Sequence, residues 1–197
     1  RILGRQLEPD AGTVTHADGL RVVTFEQART ALDLSLPLRK ALVPNGETVT
    51  FGDKQLHVAG WAARFLFTAD QLNVEMSALS GGEQARVRIA QLMLKPADLL
   101  LLDEPTNDLD IPSLEVLEES LADFPGAVVL VTHDRELMDR LCTEFVGLDG
   151  RGGVSPYGSV AQWLTAYERA NADEAKATKA AAKPAPGKPA AAKAKKL

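Results

Sequence analysis

Leu99–Leu102 is the most apolar run of the chain, four leucines in succession, closed at once by Asp103, Glu104 and Pro105. So short and unbroken a stretch fits a strand buried on both faces, as in a parallel sheet covered by helices. Ala127–Thr132 repeats the design and ends on His133 and Asp134. Around these runs the periodicity turns helical, at Glu83–Leu94, Pro112–Phe124 and Asp134–Leu141, and a further strand is expected near Glu144–Leu148. Strands alternating with helices predict an α/β fold with a parallel core. In such sheets ligands sit beyond the carboxyl ends of the strands, where Asp103, Glu104 and His133 stand. Alternation along a strand sends Asp103 and Glu104 in different directions, so one carboxylate can face a magnesium ion while the other faces an attacking water.

A second feature precedes the leucines. Ser80 is a natural N-cap for the helix that follows, and Glu83, three residues on, completes a capping box. Gly81 and Gly82 leave backbone N–H groups bare at the positive end of that helix, where an anion can approach closely. Residues 1–30 read as a helix end, a P-D-A-G turn and a strand reaching Gln27. Residues 34–78 read as short helices with a small hairpin around Glu47–Leu56. Residues 157–170 read as a last helix carrying Trp163 and Tyr167 at i, i+4. His16 and His57 stand in polar or mixed surroundings and are assigned no role.

Taken together, these residues resemble the ATPase domains of the ABC superfamily. LSGGEQ from Leu79 is similar to the family signature, LLLLDEP to its Walker B strand, and NDLD at Asn107–Asp110 to its D-loop. His133 resembles the switch histidine and Gln27 the Q-loop glutamine. The wording PTNDLD points to the ABC-F class, soluble proteins with two ATPase domains on one chain, rather than to transporter ATPases, which more often read PTSALD. The segment from Gln27 to the signature, including NGETVTFGDKQLHVAGWAARFLF, resembles the second ATPase domain of the Uup-type branch.

One departure stands out. No G-x-x-x-x-G-K-[S/T] occurs among the 197 residues, so the loop that cradles phosphates and its lysine are missing. In the family that loop precedes a helix ending near RILGRQLEPDAGTV, so the sequence is expected to be cut inside that helix. The expected organisation is an ATPase core, truncated and ending in the Q-loop, over 1–33, and a helical signature subdomain over 34–95. A second core segment with Walker B, D-loop and switch histidine follows over 96–155, then a C-terminal helix over 156–170.

The remaining 171–197 carry seven lysines against Asp173 and Glu174, whereas residues 1–170 carry 15 basic and 25 acidic side chains. This Lys/Ala/Pro-rich stretch cannot form a core and is expected to be a disordered linker or tail, suited to RNA or DNA phosphates. No apolar run approaches the length of about 18 that a membrane span needs. The lone Cys142 cannot form an internal disulfide and is expected to act as a small buried hydrophobe. A reducing cytoplasm is the simplest setting.

The resemblance implies ATP hydrolysis at an interface shared with a second ABC ATPase domain. On that basis Glu104 is the general base, His133 contacts the γ-phosphate, and Asp103 holds Mg2+, with Gln27 sensing the metal and the water. Ser80, Gly81, Gly82 and Glu83 of the signature and Asp110 of the D-loop are expected to line nucleotide, the signature on ATP held by the partner domain. The class implies action on ribosomes or nucleic acid. An ATP-binding subunit of a membrane transporter is the alternative, and a DNA-repair or chromosome-structuring ATPase a third reading, which would require long heptad coiled coils.

Overall fold

In the computed structural model the described residues are 1–25, 32–107, 109–148 and 152–181, with side chains to residue 172. Gln27 falls outside them. The chain forms two compact units, Arg1–Cys142 and Thr143–Leu197.

The first unit is built on a parallel sheet of three strands in the order β1 (Val22–Phe25), β4 (Leu99–Asp103), β5 (Ala127–Val131). The four leucines occupy its centre as expected: Leu100 and Leu102 are fully buried, and β4 pairs in register with Val22–Phe25 on one side and Ala127–Val131 on the other. The entry to the sheet is clamped by Asp98. Its carboxylate takes the Arg21 guanidinium at 2.6 and 3.0 Å and the Arg21 backbone N–H at 2.9 Å. That two-pronged ion pair holds the Asp98 carboxyl down at about 2.

Between β1 and β4 lie α1 (Leu38–Leu42), the hairpin of β2 (Thr48–Phe51) and β3 (Lys54–His57), α2 (Val58–Arg64) and the long α3 (Gly81–Met93). The hairpin stands where the N-G and F-G-D turns put it. Trp61 is its anchor, buried to 1% exposure with its ring 5.0 Å from Phe51 and 5.1 Å from Phe65. Burying one such aromatic contributes about 1.5–3 kcal/mol, so this cluster, continuous with Leu38, Met76, Val87 and Ile89, is the main support of the segment. After β4 come α4 (Ile111–Ala122) and α5 (Arg135–Leu141), joined by the Arg140–Glu118 ion pair at 2.7 Å.

Three expectations for this unit need correction. Residues 1–6 form hydrogen-bonded turns, with Arg5 at φ 55°, rather than a helix end. β5 is not buried on both faces. It is an edge strand of the described sheet, so Val128 and Leu130 turn to the core while Val129 and Val131 are 37% and 55% exposed. Cys142 is only half-buried, enough for desolvation to push its thiol up.

The second unit is a two-stranded antiparallel ribbon, β6 (Phe145–Leu148) with β7 (Val154–Tyr157), and one helix, α6 (Val160–Ala181). β6 was expected, β7 was not: Pro156 argues against a strand, yet a two-stranded ribbon tolerates a residue with no N–H to donate. Trp163 lies against Gly147, where an added Cβ would come within 2.1 Å of its ring, and stacks on Tyr167 at 5.5 Å. α6 runs eleven residues beyond the expected end at residue 170, through alanine, glutamate and lysine, all good helix formers. Among the described residues no helix is long and apolar enough to cross a membrane.

Candidate functional site

The chemistry-bearing side chains fall into two clusters, one at the tips of β4 and β5 and one at the start of α3.

At the strand tips, Asp103 is the last residue of β4 and pairs with Val131 of β5. Its neighbour Glu104 leaves the strand in the left-handed region, at φ 47°, a conformation that costs a non-glycine residue roughly 1–3 kcal/mol. Two features hold it there: the Glu104 N–H donates to the Val131 carbonyl at 2.8 Å, and the next residue, Pro105, is fully buried. The turn brings the Glu104 carboxylate to 3.3 Å from His133 Nε2. Glu104 is three-quarters covered, whereas the His133 side chain is 97% exposed. The Asp103 carboxylate faces solvent. A third neighbour, Asp134, is a helix cap: its Oδ1 accepts the Leu137 N–H at 3.1 Å and starts α5.

Among the described residues no group of three or more histidines, cysteines or acids could hold a metal ion by itself. Mg2+ is commonly held by one or two carboxylates completed by waters and substrate phosphates, so a single exposed Asp103 fits that ion and would not fit a closed metal cage.

At the start of α3 the capping box forms as the spacing predicts. Ser80 Oγ accepts the Glu83 N–H at 3.3 Å, and Glu83 Oε2 accepts the Ser80 N–H at 2.8 Å and the Ser80 hydroxyl at 2.9 Å. Gln71 donates to the other Glu83 oxygen at 2.8 Å. The backbone and side-chain bonds from Ser80 lower the Glu83 carboxyl below its ordinary range, despite partial burial. Glu83 is therefore occupied in shaping the turn. Beyond Gly81 the space is open where a side chain would stand. Beyond Gly82 it is filled by the Asp110 carboxylate, with Oδ2 2.1 Å from an ideal Cβ position.

Asp110 caps α4, accepting the Ser113 N–H at 2.9 Å, and hydrogen bonding by Ser113, from its side chain first and its backbone second, lowers the Asp110 carboxyl. Arg86 of α3 stands 3.9 Å from the same carboxylate. The structure thus joins Glu104 to His133, and Gly82 to Asp110, while Gln27 cannot be placed. Arg86 and Ser113, both buried, escape the sequence reading, since an arginine on an amphipathic helix reads as a solvated residue.

The family model described as ABC transporter matches residues 1–107. The chain belongs to the ABC family. Among curated proteins, this ABC chain is 44% identical over 155 residues to the ATP-binding protein Uup of Caulobacter vibrioides, covering 78% of the chain and 26% of that protein. It is 32% identical over 154 residues to the energy-dependent translational throttle protein EttA of Escherichia coli K12, covering 78% and 28%. The chain therefore spans about a quarter of the length of these relatives. In fold it superposes with a TM-score of 0.60, at 23% identity, on an archaeal ribosome recycling factor solved with a ribosomal stalk protein, covering 84% of the chain and 33% of that structure.

Proposed function

We propose that this ABC domain hydrolyses ATP within a longer ABC-F-type protein, at an interface shared with a second ABC domain. The observation that carries the reading is the pair Glu104–His133, 3.3 Å apart at the carboxyl ends of two parallel strands, with Asp103 beside it. Glu104 is partly desolvated yet faces an open tip, which suits a base that takes a proton from a water. His133, almost wholly exposed and tethered through Glu104, can reach a γ-phosphate and donate to it from its ring N–H. Asp103 would hold Mg2+, which when bound would neutralise phosphate charge. The Ser80–Gly82 turn, open at Gly81, presents backbone N–H groups at a helix N-terminus to an anion held by the partner domain.

One of the two relatives, EttA, is named for a role in translation, and the lysine-rich 171–197 supplies charge for nucleic-acid phosphates. We therefore assign ribosomes or RNA, in the cytoplasm, as the site of action. Loss of a general base costs about 10²–10⁴ in rate. In the full gene product Glu104→Gln is expected to lose that much ATP turnover while still binding ATP and, with ATP, to be retained on ribosomes. Turnover near the parent rate would remove Glu104 from the mechanism, and co-purification with membranes instead of ribosomes would favour a transporter.

A further inference from the structure

The Ser80 hydroxyl has one proton to give, and in this structure it is already given. Ser80 Oγ donates to Glu83 Oε2 at 2.9 Å, and the Ser80 backbone N–H donates to the same oxygen at 2.8 Å. These bonds, the backbone one first and the hydroxyl second, hold the Glu83 carboxyl below its ordinary range, so it stands there as a charged acceptor. Ser80 is exposed, and beside it Gly81 leaves open the space where a side chain would stand. An anion arriving at the turn therefore meets a hydroxyl that is turned toward a resident carboxylate of the same sign as itself.

Capping alone does not require this charge. Ser80 Oγ accepts the Glu83 N–H at 3.3 Å whichever way its own proton points, and glutamine serves as well as glutamate at the third position of a capping box. The other Glu83 oxygen has a partner of its own. Gln71 Nε2 donates to Glu83 Oε1 at 2.8 Å, and Gln71 is in turn oriented by the Thr68 N–H, which donates to its Oε1 at 2.9 Å. If the Ser80 hydroxyl leaves, the carboxylate keeps two donors, the Ser80 N–H and Gln71. The hydroxyl can thus rotate outward without moving the backbone and without stranding a half-buried charge.

We propose that Glu83 is a resident anion competing with phosphate for the Ser80 hydroxyl, and that Gln71 is the positioning residue that lets the exchange occur. Glu83 thereby sets how much ATP on the partner domain is needed to close the interface. This role rests on the ATPase reading above, because only there does the turn meet a phosphate. It also gives the two residues opposite effects on the closed complex: Glu83 opposes closure and Gln71 favours it.

The test measures turnover against ATP concentration, with thermal unfolding alongside, in the full gene product carrying Glu83→Gln or Gln71→Leu, beside Glu104→Gln. Hydrogen bonds to a charged group are roughly twice as strong as neutral ones. Glu83→Gln keeps the capping box and removes the charge, so it is expected to lower KM for ATP about three- to ten-fold, with kcat within roughly two-fold. Gln71→Leu, which strands one carboxylate oxygen, is expected to raise KM by a similar factor. A merely structural pair would behave otherwise: each substitution weakens the turn, so both would raise KM or leave it alone. Unchanged KM in Glu83→Gln overturns the proposal, as does a shift of both variants in the same direction. If Glu83→Gln is too unstable to assay, Gln71→Leu decides: a raised KM at parent-like Tm upholds the exchange, and an unchanged KM, or one that rises only with loss of fold, overturns it. Should Glu104→Gln turn over at the parent rate, the ATPase reading fails; should it be slow while KM stays unmoved in Glu83→Gln, only the competition fails.

Discussion

Gly81 and Gly82 are adjacent in the first turn of α3, yet alanine should act on them with opposite sign. Replacing glycine by alanine inside a helix ordinarily stabilises by roughly 0.5–1 kcal/mol, because the chain loses less freedom on folding. At Gly81 nothing stands within 4 Å of the added Cβ, so that gain, reduced at a helix end, is expected intact. At Gly82 the Cβ would fall 2.1 Å from Asp110 Oδ2 and 2.8 Å from its Cγ, so something must move by more than an ångström. If Asp110 yields, it abandons the Ser113 N–H, and loss of an N-cap costs about 0.5–2 kcal/mol. If the turn yields instead, overpacking costs about 1–3 kcal/mol. Either route places Gly82→Ala about 2 kcal/mol below Gly81→Ala. In a domain of this size that is a Tm gap of about 4–8 °C, measurable by circular dichroism. Adding Asp110→Ser to Gly82→Ala shortens the obstructing side chain while keeping a good cap, and should recover much of the loss. Equal melting temperatures for the two single variants would show that Asp110 does not occupy that space.

Three further outcomes are expected. The Asp98 carboxyl is held at about 2, well below its ordinary 3.8, by its hydrogen bonds to Arg21. A depressed folded value means stabilisation that is complete above the unfolded value and lost as pH falls from about 4 toward 2, so urea midpoints in Asp98→Asn should fall less across that window than in the parent. Leu100, fully buried at the centre of the sheet, should cost about 2–5 kcal/mol when replaced by alanine, read as a lowered urea midpoint at unchanged slope. These 197 residues carry no phosphate-cradling G-x-x-x-x-G-K-[S/T] loop, so calorimetric titration of the chain with Mg-ATP should give no micromolar binding; a micromolar Kd would place the grip on nucleotide elsewhere.

What could be read from the sequence was whatever depends on neighbours along the chain. Four leucines in a row have one comfortable place in a soluble fold, and β4 takes it. The capping box is a reciprocal bond over three residues, so S-G-G-E sufficed to foresee it. Glu104 and His133 were paired because both end apolar runs that a parallel sheet sets side by side. What stayed hidden depends on how elements meet. Apolar composition alone cannot tell the central β4 from the edge strand β5, since only sheet order decides which faces are covered. The ribbon strand β7 was masked by its proline and by the glycines that flank it, which argue for a turn until a single antiparallel partner is in place. Asp110 read as a D-loop acid, but its capping of α4 and its seat against Gly82 appear only once α3 and α4 are packed together.

The two clusters are restrained in opposite ways, and this bears on how they can work. The Ser80–Gly82 turn is over-determined: a capping box, Gln71 on Glu83, Gln84 on the Met76 and Leu79 carbonyls, and Ser113 on Gly82 all fix it, so it can present its N–H groups without reorganising. His133 is the reverse, a ring 97% exposed that stands 3.3 Å from Glu104. Under the proposed hydrolysis, a side chain held so lightly would leave its carboxylate for a phosphate oxygen at little cost, and in leaving would release Glu104 to accept a proton. Glu104 itself is held in a strained turn by the Val131 carbonyl and a buried proline, so the departure of His133 need not disturb it. On the proposed reading, a rigid turn and a fixed carboxylate would work beside one lightly held histidine, whose 3.3 Å contact with Glu104 would separate the resting arrangement from the reactive one.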